Sequence, residues 1–206
     1  ASYLTDGLGE TWMMQDTALK PYPVCHFIHG ATDAALDLRD EIAGAGIEAV
    51  DILLPADTLK IVAEPIEGKR HAGTEYEAKF SAPFVIASAL LKGRFGLADL
   101  SDEALSDPAT RALAAKCSCA ADPDSLYPDY FSGGVKVHLA DGRTLSRHVP
   151  VNSGAGSRQL TLDEATRKFL QNTGLALDDT QAMAIRAAVL DLASGGIAPL
   201  MRALQA

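Results

Sequence analysis

Apolar residues near the start of the chain recur first with the period of a helix and then with that of a strand. From about Ile28, apolar positions spaced by three or four residues predict a helix with one apolar stripe, formed by Ala31, Ala35, Leu38 and Ile42. Gly44 and Gly46 are expected to end this helix. Residues 47–54 then alternate in the manner of a strand. A helix followed closely by a strand is therefore predicted here.

The middle of the chain predicts short helices and then a hairpin. Residues 64–73 are polar and are expected to form a loop. A helix over about 76–91 contains Pro83, which lacks a backbone donor and crowds the preceding turn, so a kink or a restart is expected there. The remaining elements are short helices at 101–106 and 108–116 and a hairpin over 134–149 that turns at Asp141-Gly142.

Beyond residue 152 the pattern becomes helical. The Gly- and Ser-rich stretch at 152–157 predicts a boundary between one domain over 1–152 and a helical segment over 153–206. A capping box at Thr161-Leu-Asp-Glu164 opens one helix. The next helix, over about 179–193, is apolar on more than one side and is expected to be buried on several faces. The fold class predicted is α+β, a small antiparallel sheet with helices followed by C-terminal helices.

Composition narrows the classes of function. The 206 residues include 27 acids against 18 Lys and Arg, for a net charge of −9, which argues against a nucleic-acid surface. No apolar run approaches the roughly 20 residues that cross a bilayer. Cys25, Cys117 and Cys119 make no disulfide framework and no metal site, and favour reduced thiols in the cytoplasm. The chain begins at Ala1 without an initiator Met or a secretory signal, which fits a processed start or one cut from a longer chain.

One island of positive charge stands out in this acidic chain. No acidic residue lies between Asp16 and Asp33, whereas Lys20, His26 and His29 fall in that interval. A lysine ammonium suits a carboxylate, and histidines exchange protons near neutral pH. The helix predicted to begin there would put His29 and Asp33 one turn apart, within reach of a hydrogen bond. The segment therefore predicts an anion-binding or catalytic site, although such residues also occur at an ordinary strand-to-helix junction.

A second candidate lies at the start of the helix predicted over 76–91. Gly73, Lys79 and Ser81 could bind an anion at the helix N-terminus, but the segment is also typical of an amphipathic helix whose aromatic residues pack inward. The basic run at 69–71 is expected to be a solvated part of a loop. Phosphate-loop, dinucleotide-binding, zinc-protease and serine-hydrolase motifs are absent from the sequence.

Taken together, the two segments resemble the MmgE/PrpD family. The resemblance is carried by Lys20-Pro-Tyr-Pro-x-Cys25 with His29 and Asp33, and then by Tyr76-Glu-Ala-Lys79-Phe-Ser81-x-Pro-Phe84. This family includes 2-methylcitrate dehydratase, cis-aconitate decarboxylase and iminodisuccinate epimerase. The resemblance implies metal-independent enzymes without a cofactor, built from a large helical domain and a smaller α+β lid with the active site between them. This chain resembles the lid and the C-terminal helices that follow it.

The resemblance also implies roles for individual residues. By position, the catalytic residues would be Lys20 and His29, and the substrate-binding residues would be Lys20, Cys25, His26, Lys79 and Phe84. Cys25 stands where the decarboxylase branch carries a catalytic histidine, and Phe84 stands where other members often have tyrosine. These two departures count against a simple decarboxylase.

The expected function is the lid of a lyase or isomerase that acts on small di- or tricarboxylates by removing a proton next to a carboxylate. The catalytic groups of the large helical domain have no counterpart in this chain, so the chain is expected to be inactive without that domain, whether it comes from the same gene or from a partner chain. Without it, the apolar helices would repack or self-associate, for example as a homodimer. The alternative is a ligand-binding or interaction module that has lost catalysis.

Overall fold

The computed structural model describes residues 5–205, the side chain of Gln15 excepted. The ends of the two predicted domains, residues 1–4 and 206, lie outside the described residues. The elements in chain order are α1 (His29–Ile42), β1 (Ile47–Leu54), α2 (Leu59–Val62), α3 (Ile66–Arg70), α4 (Glu75–Lys79), α5 (Ala82–Lys92), α6 (Asp102–Ser106), α7 (Pro108–Ala114), β2 (Cys117–Ala121), β3 (Gly133–Leu139), β4 (Thr144–Val149), α8 (Leu162–Thr173), α9 (Asp179–Leu190), α10 (Leu192–Gly195) and α11 (Ile197–Gln205). The α+β class predicted from the sequence is confirmed.

The four strands form one sheet in the order β2-β1-β3-β4. β3 pairs antiparallel with β4, as the hairpin pattern predicted, and it also pairs antiparallel with β1. β2 instead pairs parallel with β1, so the sheet is mixed rather than wholly antiparallel. The reason lies in the connection, because the chain returns from β1 to β2 through the helices α2 to α7, and a long helical crossover can bring a strand back in the same direction.

The core lies between one face of this sheet and the helices α1 and α5. The predicted stripe of α1 is buried, and it packs against β3, β4 and α5. α5 is buried along nearly its whole length, residues 82–90, as expected of a helix that is apolar on most sides. Alternate residues of β1 face this layer, namely Val50, Ile52 and Leu54.

The helix predicted over 76–91 restarts at its proline. α4 ends at Lys79, and Ser81 then caps α5 by accepting a hydrogen bond from the Phe84 N–H at 3.1 Å, with Pro83 in the first turn. Proline is tolerated there because its missing donor would be unpaired anyway. The restart fixes the position of Ser81, whose hydroxyl also donates to the carbonyl oxygen of Lys69 at 2.5 Å.

The loop predicted for residues 64–73 is wrong, because residues 66–70 form α3. The basic run within it is not a simple solvated stretch. Lys69 Nζ donates to the carbonyl oxygen of Ile61 at 2.6 Å, and Arg70 donates to that of Cys117 through Nε at 3.0 Å and Nη2 at 2.7 Å. Lys69 and Arg70 are therefore partly buried and held by backbone carbonyl groups, whereas His71 is exposed.

The C-terminal helices leave much apolar surface uncovered. The predicted capping box at Thr161 is present, and α8 ends at Thr173. α9 packs against α11 but buries only Ala182 and Ile185 among its described residues. The expected burial on several faces is therefore not met within the described chain.

No helix in the described part of the chain has the length and apolar character needed to cross a membrane. The boundary at 152/153 stays a prediction.

Candidate functional site

The site begins in an extended segment, residues 17–25, that we call the Lys20 strap. Its backbone is fastened at two points: the Leu19 N–H donates to the carbonyl oxygen of Gly154 at 2.9 Å, and the Cys25 N–H donates to that of Lys79 at 2.8 Å. Between them, Lys20 Nζ donates to the carbonyl oxygen of Val24 at 3.1 Å. The strap thus presents its only lysine at a defined place beside α1.

His29, the first residue of α1, meets Lys20 at the same carbonyl. Its Nε2 lies 3.4 Å from the carbonyl oxygen of Val24, which can only accept, so we assign the ring proton to Nε2. Its Nδ1 has no hydrogen-bond partner among the described residues. Complete burial, the neighbouring His26 and the ammonium groups of Lys20 and Lys168 lower the pKa of His29 to about 3. The imidazole is therefore neutral at neutral pH.

The hydrogen bond predicted between His29 and Asp33 is wrong, because other donors occupy both carboxylate oxygens of Asp33. Tyr22 donates its hydroxyl to Oδ1 at 2.7 Å, while the Ser153 N–H and Arg158 Nη1 approach Oδ2 at 2.6 and 3.3 Å. Burial raises the pKa of Asp33, and burial together with the Asp33 carboxylate raises the pKa of Tyr22. Asp33 thereby ties α1 to the Lys20 strap and to the segment around residue 153.

His26 is held between two rings, with its centroid 4.5 Å from that of His29 and 4.6 Å from that of Phe131. Its Nε2 lies 3.2 Å from Asn152 Nδ2, and Asn152 Oδ1 accepts from the Phe131 N–H at 3.1 Å. The second bond orients the amide so that its N–H donates to His26, which must then be neutral with its proton on Nδ1. Burial and Lys20 also lower the pKa of His26.

A cavity of about 450 Å³ opens beside the Lys20 strap. Its polar lining comes from Lys20, Tyr22, Lys168 and Asn172, and its apolar lining from Leu19, Pro23, Leu160, Ala165 and Phe169. This volume is typical of a small-molecule site. Neither lysine pairs with a carboxylate in the part of the chain that the structure describes. Two unpaired cations in a protein of net charge −9 suit an anionic ligand.

Cys25 lies near Lys69, which belongs to the basic run predicted to be a solvated part of a loop. Burial raises the pKa of the half-buried Cys25 thiol, against the opposing effects of Lys20 and Lys69. Burial in turn lowers the pKa of Lys69, against the opposing effect of Cys25. The thiol is thus held mainly in its neutral form, at the edge of a basic region that includes Lys69.

The structure brings four of the six predicted site residues together and separates two. Lys20, Cys25, His26 and His29 cluster as described. Lys79 touches the strap only through its carbonyl group, while its ammonium pairs with Glu75 at 2.6 Å. Phe84 is buried in the core, with its ring centroid 6.4 Å from that of Phe95, and it does not line the cavity. Cys25, His26 and His29 do not line the cavity either, so Lys20 is the one predicted site residue that does. Substrate contact by the other five stays a prediction.

Lys168 and Asn152 were missed from the sequence. One face of α8 could be recognised from the helical spacing of its residues Ala165, Lys168, Phe169 and Asn172. The sequence did not indicate, however, that this face packs against the Lys20 strap. Asn152 gave no signal, since its importance comes from its contacts with His26 and Phe131.

A larger cavity of about 490 Å³, at the C-terminal end of α1, is lined by none of the candidate site residues. No three His, Cys, Asp or Glu side chains within residues 5–205 are arranged to hold a metal.

Comparison with known proteins shows which family this chain belongs to. The model of the MmgE/PrpD C-terminal domain matches residues 22–194. The 2-methylcitrate dehydratase of Cupriavidus necator is 29% identical over 195 residues, covering 89% of this chain and 40% of that protein. The cis-aconitate decarboxylases of Homo sapiens and Mus musculus are 26% and 24% identical over 176 residues, covering 81% of this chain and 35% of each protein. This chain therefore spans less than half the length of these relatives, and it belongs to the MmgE/PrpD family as a representative of its C-terminal domain.

Proposed function

We propose that this chain is the lid and C-terminal part of a lyase or isomerase that removes a proton next to a carboxylate of a small di- or tricarboxylate. The observation that carries the proposal is the ammonium of Lys20, which lines an open cavity and makes its hydrogen bond to a backbone carbonyl rather than an ion pair with a carboxylate. The names of the relatives, a 2-methylcitrate dehydratase and cis-aconitate decarboxylases, support citrate-like acids as the substrate class.

The chemistry needs such a cation. Removing a proton next to a carboxylate builds negative charge on that group, and a positive charge fixed beside it stabilises the transition state most strongly where water is excluded. Lys20 takes this role in the proposal. Elimination of water, loss of carbon dioxide and epimerisation can each proceed through the resulting anion, so the identity of the reaction depends on the other groups around the substrate.

The two histidines support Lys20 in different ways. His29 is buried and neutral, which favours an orienting role, because its bond to Val24 and its stacking fix the carbonyl that holds Lys20. His26 is half-buried and, in the proposal, presents its Nδ1–H as a donor. The base and the remaining substrate contacts are assigned to a large helical domain, from the same gene or from a partner chain. We also propose metal-independent chemistry, as the resemblance to the family implies. The free cysteines support a cytoplasmic location.

The test is Lys20→Ala in the enzyme completed by its large helical domain. Turnover of a citrate-like acid should fall by about two orders of magnitude or more, as for the loss of a group that stabilises developing negative charge. Lys60→Ala, which removes an exposed lysine on α2, is the matched control and should leave turnover unchanged. Full turnover in Lys20→Ala would remove Lys20 from the mechanism.

A second candidate function is a ligand-binding module that has lost catalysis. It is favoured by the neutral thiol of Cys25, which could not act as a ready proton donor. Calorimetry of the chain alone with citrate separates the two, because tight binding without any partner favours the module. If the enzyme is instead divided between two genes, this chain should co-purify with a helical protein about the size of a domain.

A further inference from the structure

Lys168 on α8 is a second cation at the cavity, and the proposed function gives it no task. It is half-buried, lines the cavity together with Lys20, and has no hydrogen-bond or ion-pair partner within the described residues. The ammonium groups of Lys168 and Lys20 both lower the pKa of His29, so both lie close enough to this side chain to act on it. Two like charges facing one small cavity repel each other unless an anion lies between them.

The helix that carries Lys168, α8, has a well-defined start. Thr161 and Glu164 form a reciprocal capping box, with the Thr161 N–H donating to Glu164 Oε2 at 2.8 Å and the Glu164 N–H donating to Thr161 Oγ1 at 3.2 Å. One turn beyond Lys168, the amide of Asn172 lines the same cavity. However, α8 has no fully buried residue, so the contacts that hold it against the Lys20 strap are few.

We propose that Lys168 is a second carboxylate anchor, so that one ligand bridges α8 and the Lys20 strap and the cavity selects acids with at least two carboxylates. The inference rests on the proposed function of Lys20. A dicarboxylate pairs with both ammonium groups at once and removes their repulsion, whereas a monocarboxylate neutralises only one of them. Bridging also fastens the thinly packed α8 to the rest of the chain.

The test is an NMR titration of the full chain with tricarballylate, which has three carboxylates, and with butyrate, which has one. Lys168→Met should weaken tricarballylate binding by about tenfold, as for one charge-assisted hydrogen bond, and should leave butyrate binding within about twofold. Lys168→Arg keeps the cation and should retain the preference for tricarballylate. Arg167→Met, which removes the exposed cation next to it on α8, is the matched control and should change neither affinity.

The outcomes separate this inference from the proposed function. If Lys168→Met weakens neither acid, or weakens both equally, Lys168 is not a second anchor, while weaker binding of both acids to Lys20→Met would still support the role of Lys20. If tricarballylate causes no saturable shifts on α8 and the Lys20 strap of the unmodified chain, the bridging inference is overturned, and the turnover of Lys20→Ala decides the proposed function separately.

Discussion

At the residue scale, two acceptors organise the candidate site. The carbonyl oxygen of Val24 receives Lys20 and lies within reach of His29. The carboxylate of Asp33 receives donors from the strap and from the segment beyond residue 152. The first acceptor joins two groups that lie within five positions of it along the chain, whereas the second also joins groups more than a hundred positions away. The position of Lys20 therefore depends on both local and long-range contacts.

The buried imidazole of His29 makes stability depend on pH. Its pKa is about 3 in the folded chain and about 6.5 in an unfolded chain, so between these values the unfolded state binds the extra proton. The free energy of unfolding is therefore independent of His29 above about pH 6.5. Below about pH 6.5 it decreases as the pH is lowered, by up to about 1.4 kcal/mol per pH unit. Urea unfolding from about pH 7 to about pH 4.5 should show this loss, and His29→Gln should reduce it, although the lowered pKa of His26 still contributes. An NMR signal of protonated His29 near pH 5 would contradict the expectation.

The residue types at this site could be predicted from the sequence, but their partners could not. The acid-free interval around Lys20 includes the residues of the strap. The helical spacing of His29 and Asp33 suggested a bond between them, yet it could not reveal that Ser153 and Arg158, more than a hundred positions away, bind Asp33 instead. Long-range donors compete with local ones, and sequence spacing describes only the local ones.

At the element scale, the Lys20 strap is positioned by the Gly- and Ser-rich segment that was predicted to be a domain boundary. Gly154 has a φ of +86°, and its carbonyl accepts from Leu19. A Cβ at Gly154 would overlap the Leu19 carbonyl oxygen. Gly154→Ala should therefore displace the strap, lower the free energy of unfolding by about 2 kcal/mol or more and weaken carboxylate binding at Lys20. Chemical denaturation and NMR titration measure the two effects.

Gly142 in the β3–β4 turn is the matched control. It has nearly the same φ, +85°, but a Cβ there would meet nothing within 4 Å. Gly142→Ala should carry only the cost of the left-handed backbone, about 1 kcal/mol, and leave carboxylate binding intact. Equal losses of stability in the two variants, with unchanged ligand binding in both, would show that the contact with Leu19 does not hold the strap.

Elements with a strong period were predicted well, and those defined by distant contacts were not. The alternation at 47–54 gave β1 with its correct bounds, and Pro83 marked the restart before α5. α3 was missed because its polar residues bind carbonyl groups elsewhere in the chain. The parallel direction of β2 was missed because its five residues, Cys-Ser-Cys-Ala-Ala, do not indicate which strand they pair with. The crossover through α2 to α7 determines that strand and the direction of pairing.

At the scale of the whole molecule, the two parts of the chain differ in how they bury apolar residues. The α+β part has a continuous core around α1, α5 and the sheet. Large apolar side chains are exposed outside this core, both before the Lys20 strap and on the C-terminal helices. They are Leu8, Trp12, Met13 and Met14 in the first segment, and Leu162, Met183, Val189, Leu190, Leu192, Ile197, Met201 and Leu204 in the helices. A surface of this kind is typical of an interface with another domain or chain. Such an interface is consistent with the comparisons, because this chain spans less than half the length of its relatives.

This exposed surface leads to a prediction about the chain in solution. The chain should bind the neutral dye Nile red and self-associate, because apolar side chains that no partner covers remain in contact with water. Replacing Val189, Leu190 and Met201, which are 49%, 51% and 47% exposed, by serine should reduce both effects. The matched control replaces Ile61, Leu91 and Leu97, which are 43%, 39% and 36% exposed on the α+β part, and should change them much less. Dye fluorescence and sedimentation give the two measurements, and adding a large helical domain should suppress both effects. A strictly monomeric chain that binds no dye would mean that these helices need no partner.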